Sequence, residues 1–76
     1  YMKELVLDIA KALVDNPDAV VVEETRKNDE IILKLTVSQD DMGKVIGKQG
    51  RIAKAIRTVV RSAANREKVK VSLEIV

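Results

Sequence analysis

Apolar residues recur at three- and four-residue spacing through Met2, Leu5, Val6, Ile9 and Leu13, with the small Ala10 and Ala12 among them. This period predicts an amphipathic helix over residues 2 to 14 with one buried face. Asp15-Asn16-Pro17-Asp18 ends it, because proline cannot continue a helix and pushes the preceding residue out of helical conformation. Residues 19–25, AVVVEET, are β-branched and read as a short strand. Residues 31–37, IILKLTV, alternate, with Ile31, Leu33, Leu35 and Val37 on one face and Ile32, Lys34 and Thr36 on the other. The polar RKNDE between the two runs contains Asn28-Asp29, which predicts a hairpin and antiparallel pairing.

Ser38-Gln39-Asp40-Asp41 supplies capping side chains ahead of Met42, Val45 and Ile46 and opens a second, short helix that Gly47 breaks. From Arg51 to about Asn65 the helical period returns in Ile52, Ala55, Ile56, Val59, Val60 and Ala63. Residues 69–75, VKVSLEI, alternate again and form a third strand with Val69, Val71, Leu73 and Ile75 inward. The order is α-β-β-α-α-β. A helical crossover between strands of one sheet normally leaves them parallel. The expected fold is therefore α+β, a single domain over residues 1–76, with a mixed three-stranded sheet covered on one face by three helices.

The composition adds boundaries. A chain of 76 residues with 46% hydrophobic and 34% charged side chains and a single proline has room for one modest core and no second domain. It has no cysteine and no histidine, which removes thiolate metal sites, disulfides and the usual general base, so neither a metal, a cofactor nor catalysis is expected. Apolar runs are far shorter than the roughly 20 residues that span a bilayer, and no signal peptide is evident; a cytoplasmic location is the expectation. Tyr1 precedes Met2, the natural start of translation, and has no part in the functional expectation.

Charge changes the picture more. The net charge is only +2, yet residues 1–42 carry five basic and ten acidic side chains, whereas residues 43–76 carry nine basic and two acidic ones. The halves are thus −5 and +7, an asymmetry that points the second half at a polyanion.

The stretch VIGKQGRIAKAIR, residues 45–57, concentrates that charge. At 100° per residue from Arg51, Ile52, Ile56, Val59, Val60 and Ala63 fall between roughly 80° and 180°, while Lys54, Arg57 and Arg61 fall between roughly 240° and 300°. The first arc is expected to be core and the second a basic stripe. Gly47 and Gly50 let another backbone approach the loop, and the start of a helix favours anions through its unpaired N–H groups and dipole. Lys48 and Gln49 point outward between them. Gly43, inside the second helix, is expected to serve close packing or hinging. A nucleotide-hydrolysing P-loop is excluded, since Gly43 and Gly47 are one residue too close for it and Gln49 stands where it needs Ser or Thr.

Met42 to Val60 resembles the signature of the KH domain, Val-Ile-Gly-x-x-Gly followed by a helix, and the element order resembles the bacterial type II arrangement. The whole chain, from MKELV through DMGKVIGKQGRIAKAIRTVV to the last strand, is similar to the small stand-alone bacterial KH-domain RNA-binding proteins. The resemblance implies a groove for about four nucleotides of single-stranded RNA clamped by the GKQG loop. Carried over by position, Gly47 and Gly50 permit close approach, Lys48 and Gln49 meet phosphates, and Val45 and Ile46 offer aliphatic surface to the bases. Electrostatics adds Lys44, Arg51, Lys54 and Arg57. Ala53 departs from the family pattern, in which a larger aliphatic residue is common. The resemblance also implies a post-transcriptional regulator or RNA chaperone and a partner, either a second copy or a larger multidomain KH protein. Arg61, Arg66, Lys68 and Lys70, farther from the loop, are expected to be solvated or to face a partner.

With no Phe or Trp and a single Tyr at position 1, the chain is not expected to read bases by aromatic stacking. Two alternatives remain open: an adaptor whose main role is protein pairing, and a helix-turn-helix reader of double-stranded DNA. The second is disfavoured, because the basic stripe carries no base-reading Asn or Gln.

Overall fold

Two strands, β1 (Val21–Lys27) and β2 (Glu30–Thr36), run antiparallel from Val21 opposite Thr36 to Lys27 opposite Glu30. Asn28 turns the chain between them with a left-handed φ of 57°, a conformation that asparagine tolerates better than most residues. The third strand, β3 (Lys70–Ile75), lies parallel to β2, so the order β1-β2-β3 leaves β1 and β3 as edges. The computed structural model describes residues 1–76, apart from the side chain of Lys48.

Helices α1 (Met2–Leu13), α2 (Gln39–Ile46) and α3 (Arg51–Glu67) cover one face of this sheet. Ile31, Leu33 and Leu35 of β2 meet Val6 and Ala10 of α1, Val45 of α2, and Ile56 and Val60 of α3 in one core, while Lys34 and Thr36 face solvent. Alternation along the strand and the helical period along α1 and α3 thus converge on the same interior. Among the described residues no helix is long and apolar enough to cross a membrane.

Three expectations shift in detail. Pro17–Ala19 forms a 3-10 turn, so β1 begins at Val21 instead of residue 19. Val69 is not the start of β3: Lys68 takes a left-handed φ of 57°, and the Val69 N–H closes the end of α3 on the Ala64 carbonyl at 3.0 Å, a Schellman-type ending. On α3, Val59 is 37% exposed whereas Ala64 is buried and Ala53 half-buried. The buried arc is therefore rotated away from Val59 and towards the basic stripe, roughly 100° to 220° in the angular frame used above.

The placement of α2 depends on one buried carboxylate. Asp41 is only 1% exposed. It accepts hydrogen bonds from the backbone N–H of Asp15 at 3.1 Å and of Asn16 at 2.9 Å, from Asn16 Nδ2 at 3.1 Å, and from Ser38 Oγ at 3.0 Å. Ser38 in turn caps α2 by accepting the Asp41 N–H at 3.1 Å. The exit of α1 and the start of α2 are tied together by charge-assisted bonds, each stronger than a neutral one.

Candidate nucleic-acid interface

The end of α2 and the start of α3 meet at the GKQG stretch, where Lys48–Gly50 make a single 3-10 turn. Gly47 has an ordinary φ of −75°, so its backbone conformation does not call for glycine. The surroundings do. Its N–H donates to the Gly43 carbonyl at 2.7 Å, and a Cβ on Gly47 would sit 2.3 Å from that same oxygen. Gly50 calls for glycine differently, through a left-handed φ of 65°. Gln49 between them is also left-handed, at φ 65°, and exposed. Two consecutive left-handed residues turn the chain sharply into α3.

Gly43 departs from expectation. A Cβ there would meet nothing within 4 Å, so the residue serves neither close packing nor steric relief; the tight approach in this helix is at Gly47.

Among the described residues no side chain caps the start of α3. N–H groups of its first turn are then left for solvent or an anion, at the positive end of the helix dipole. Exposed Arg51 and Lys54 flank that end. The side chain of Lys48, expected to meet phosphate, lies outside the described residues. Gly47, Gln49, Gly50, Arg51 and Lys54 thus lie at the 3-10 turn and the first turn of α3 that follows it.

Others are placed differently. Val45, expected to offer surface to bases, is 0% exposed and belongs to the core. It follows Asp41 by one helical turn on the inward face of α2, whereas Ile46, one residue on, is 57% exposed. Lys44 is ion-paired with Asp15, a solvated pair worth at most about 1 kcal/mol and easily exchanged for a phosphate. Arg57 donates from Nη1 to the Leu73 carbonyl at 2.9 Å. Its position at the border of the rotated buried arc explains this reach, and its remaining N–H donors are left over for another acceptor.

That bond identifies a wall the sequence did not disclose. The Leu73 carbonyl points away from β2, so by alternation the backbone groups of Val71 and Ile75 also face the open edge. Consistently, Val76 donates its N–H to Leu35 on β2 at 2.9 Å. A groove results, with α3 on one side and the free edge of β3 on the other. Strand alternation predicted β3 itself, but only the sheet order shows that it is an edge.

With the geometry in place, comparison with known proteins is informative. The family model described as KhpA/KhpB, KH domain, matches residues 3–75. A protein of Clostridium perfringens named RNA-binding protein KhpA is 64% identical over 75 residues, covering 99% of this chain and 100% of its own. Its namesake in Caldanaerobacter subterraneus subsp. tengcongensis is 63% identical over the same shares of both chains. The namesake in Chlamydia trachomatis is 53% identical over 74 residues, 97% of this chain and 95% of its own.

Proposed function

The chain belongs to the KhpA/KhpB KH-domain family, and we propose that it is a non-catalytic module that grips about four nucleotides of single-stranded RNA at the GKQG loop, as a post-transcriptional regulator or RNA chaperone. The observation that carries this reading is the loop itself. Gly47 and Gly50 keep side chains off a sharp backbone turn, and the uncapped start of α3 lies beside Arg51 and Lys54. Phosphates meet N–H groups and cations there, while exposed Ile46 offers an aliphatic contact to a base. With three or four phosphates neutralised, the log-log salt slope is roughly −2 to −3.

The double change Lys48→Asp and Gln49→Asp tests this reading. Aspartate tolerates the left-handed backbone at position 49, so the thermal midpoint should stay close to that of the wild type. RNA recovered by crosslinking should fall about ten-fold. A folded variant that retains RNA like the wild type would show that the loop is not the clamp.

One observation favours a second reading, an adaptor that pairs with another copy of itself. Val59 is exposed on α3 beside Leu5 and Tyr1, in a shallow depression that also includes Ala63. In RNA-free protein, light scattering should give a dimer for the wild type and a monomer for Val59→Asp. A monomeric wild type, or an unchanged mass in the variant, rejects this reading.

A further inference from the structure

The groove between α3 and β3 does not end with Arg57. It continues into a cavity of about 290 Å³ lined by Arg57, Arg61, Asn65 and Lys70 over a floor that includes Val60 and Leu73. Among the described residues that line it there is no carboxylate, although the chain carries 12 Asp and Glu. Lys54, Arg57, Arg61 and Asn65 follow one another at three- and four-residue intervals, so they form a continuous stripe along α3 from the loop to this cavity. The edge strand opens at Lys70, which lies across from Glu30 of β2 and also lines the cavity. The Arg57 guanidinium is already fixed against the Leu73 carbonyl, so less rotamer freedom is lost when it takes a second acceptor.

We propose that the Arg61–Lys70 end of the groove is a second phosphate-binding subsite, which extends the RNA footprint beyond the nucleotides clamped at the loop. The proposal rests on the RNA-binding reading above and adds to it the length of the ligand and the direction it takes. From Gly50 to Arg61 the helix rises roughly 16 Å. A strand that stays stacked covers that distance in about five nucleotides at 3.4 Å each, so a tetranucleotide seated at the loop stops short of it. An oligonucleotide confined to the loop cannot reach the cavity, whereas one of about ten nucleotides can. Arg57 and Arg61 stand one helical turn apart among described lining residues that include no carboxylate, and a phosphate between them removes their repulsion.

The experiment compares unstructured mixed-sequence oligoribonucleotides of four and ten nucleotides, titrated by NMR at several salt concentrations into the wild type and the Arg61→Gln, Lys70→Gln double variant. For the wild type, the log-log salt slope should be steeper for the decamer than for the tetramer by about 0.7, the value for one additional phosphate. The variant should bind the tetramer like the wild type, bind the decamer roughly five-fold more weakly, and lose the additional slope. The multiple registers available on a longer strand raise its affinity without changing this slope, so they do not imitate the result. Equal decamer slopes in the wild type and the variant overturn the subsite while leaving the loop clamp in place. If the wild type binds neither oligonucleotide, or if Lys48→Asp with Gln49→Asp leaves binding unchanged, the RNA reading itself falls.

Discussion

Replacing Asp41 with alanine should cost about 3 kcal/mol of unfolding free energy and lower the thermal midpoint by roughly 12 to 24 °C. A domain of this length has about 4 to 11 kcal/mol in all, so the loss takes a large part of its stability. The reason is the number of donors that converge on a single carboxylate. Two backbone N–H groups, the Asn16 amide and the Ser38 hydroxyl all lose their acceptor together. A buried donor left without a partner bears its full desolvation cost. Asp41→Asn keeps the volume but presents an NH2 group to neighbouring donors, so about 2 kcal/mol is expected from it. Urea unfolding followed by circular dichroism measures both, and a loss below about 1 kcal/mol for the alanine variant would remove Asp41 from the role described.

Gly47→Ala should weaken RNA binding by roughly ten-fold and cost about 1 to 3 kcal/mol of stability. The added Cβ would lie 2.3 Å from the Gly43 carbonyl oxygen. Backbone cannot swing aside as a flexible side chain does, so the last turn of α2 must move and carry the loop with it. Gly43→Ala is the opposite case. Its site is open, exposed and helical, and the substitution should raise stability by about 0.5 to 1 kcal/mol, the cost of glycine in a helix interior. Parallel thermal melts of the two variants, with an RNA titration of Gly47→Ala, check both signs. A destabilised Gly43→Ala or a neutral Gly47→Ala would contradict the geometry.

Most elements were legible because each has a single period. The alternation of Ile31, Leu33 and Leu35 and the turn at Asn28-Asp29 specify a hairpin without reference to anything distant. The glycine loop was legible for a similar reason, being local. What escaped depends on packing between segments far apart in the chain. Ser38 and Asp41 read as helix-capping residues, and they do cap α2, but nothing local announces that Asp41 also reaches the backbone of Asp15 and Asn16. Val59 and Ala64 exchange roles because the seating of α3 against α1 and the sheet fixes its rotation, and a helical period leaves that rotation uncertain by tens of degrees. The family position of Val45 points to the ligand. Its helical phase, one turn after Asp41, is the signal that places it in the core. The bond between Arg57 and Leu73 needs the knowledge that β3 is an edge, which the element order alone does not supply.

The parallel attachment of β3 also has a temporal side. The β1–β2 hairpin closes across Asn28-Asp29, whereas joining β3 to β2 requires residues 37–69 to be looped out. By loop entropy alone, the second closure is dearer by roughly 2.5 kcal/mol. The outer wall of the groove is therefore expected to dock late and to detach early, while the hairpin persists. A ligand held between α3 and β3 recognises only the finished arrangement, so occupancy and folding reinforce each other. Every ten-fold excess of such a ligand over its dissociation constant adds about 1.4 kcal/mol to the closed form, and an RNA-loaded chain would resist unravelling from its carboxyl end.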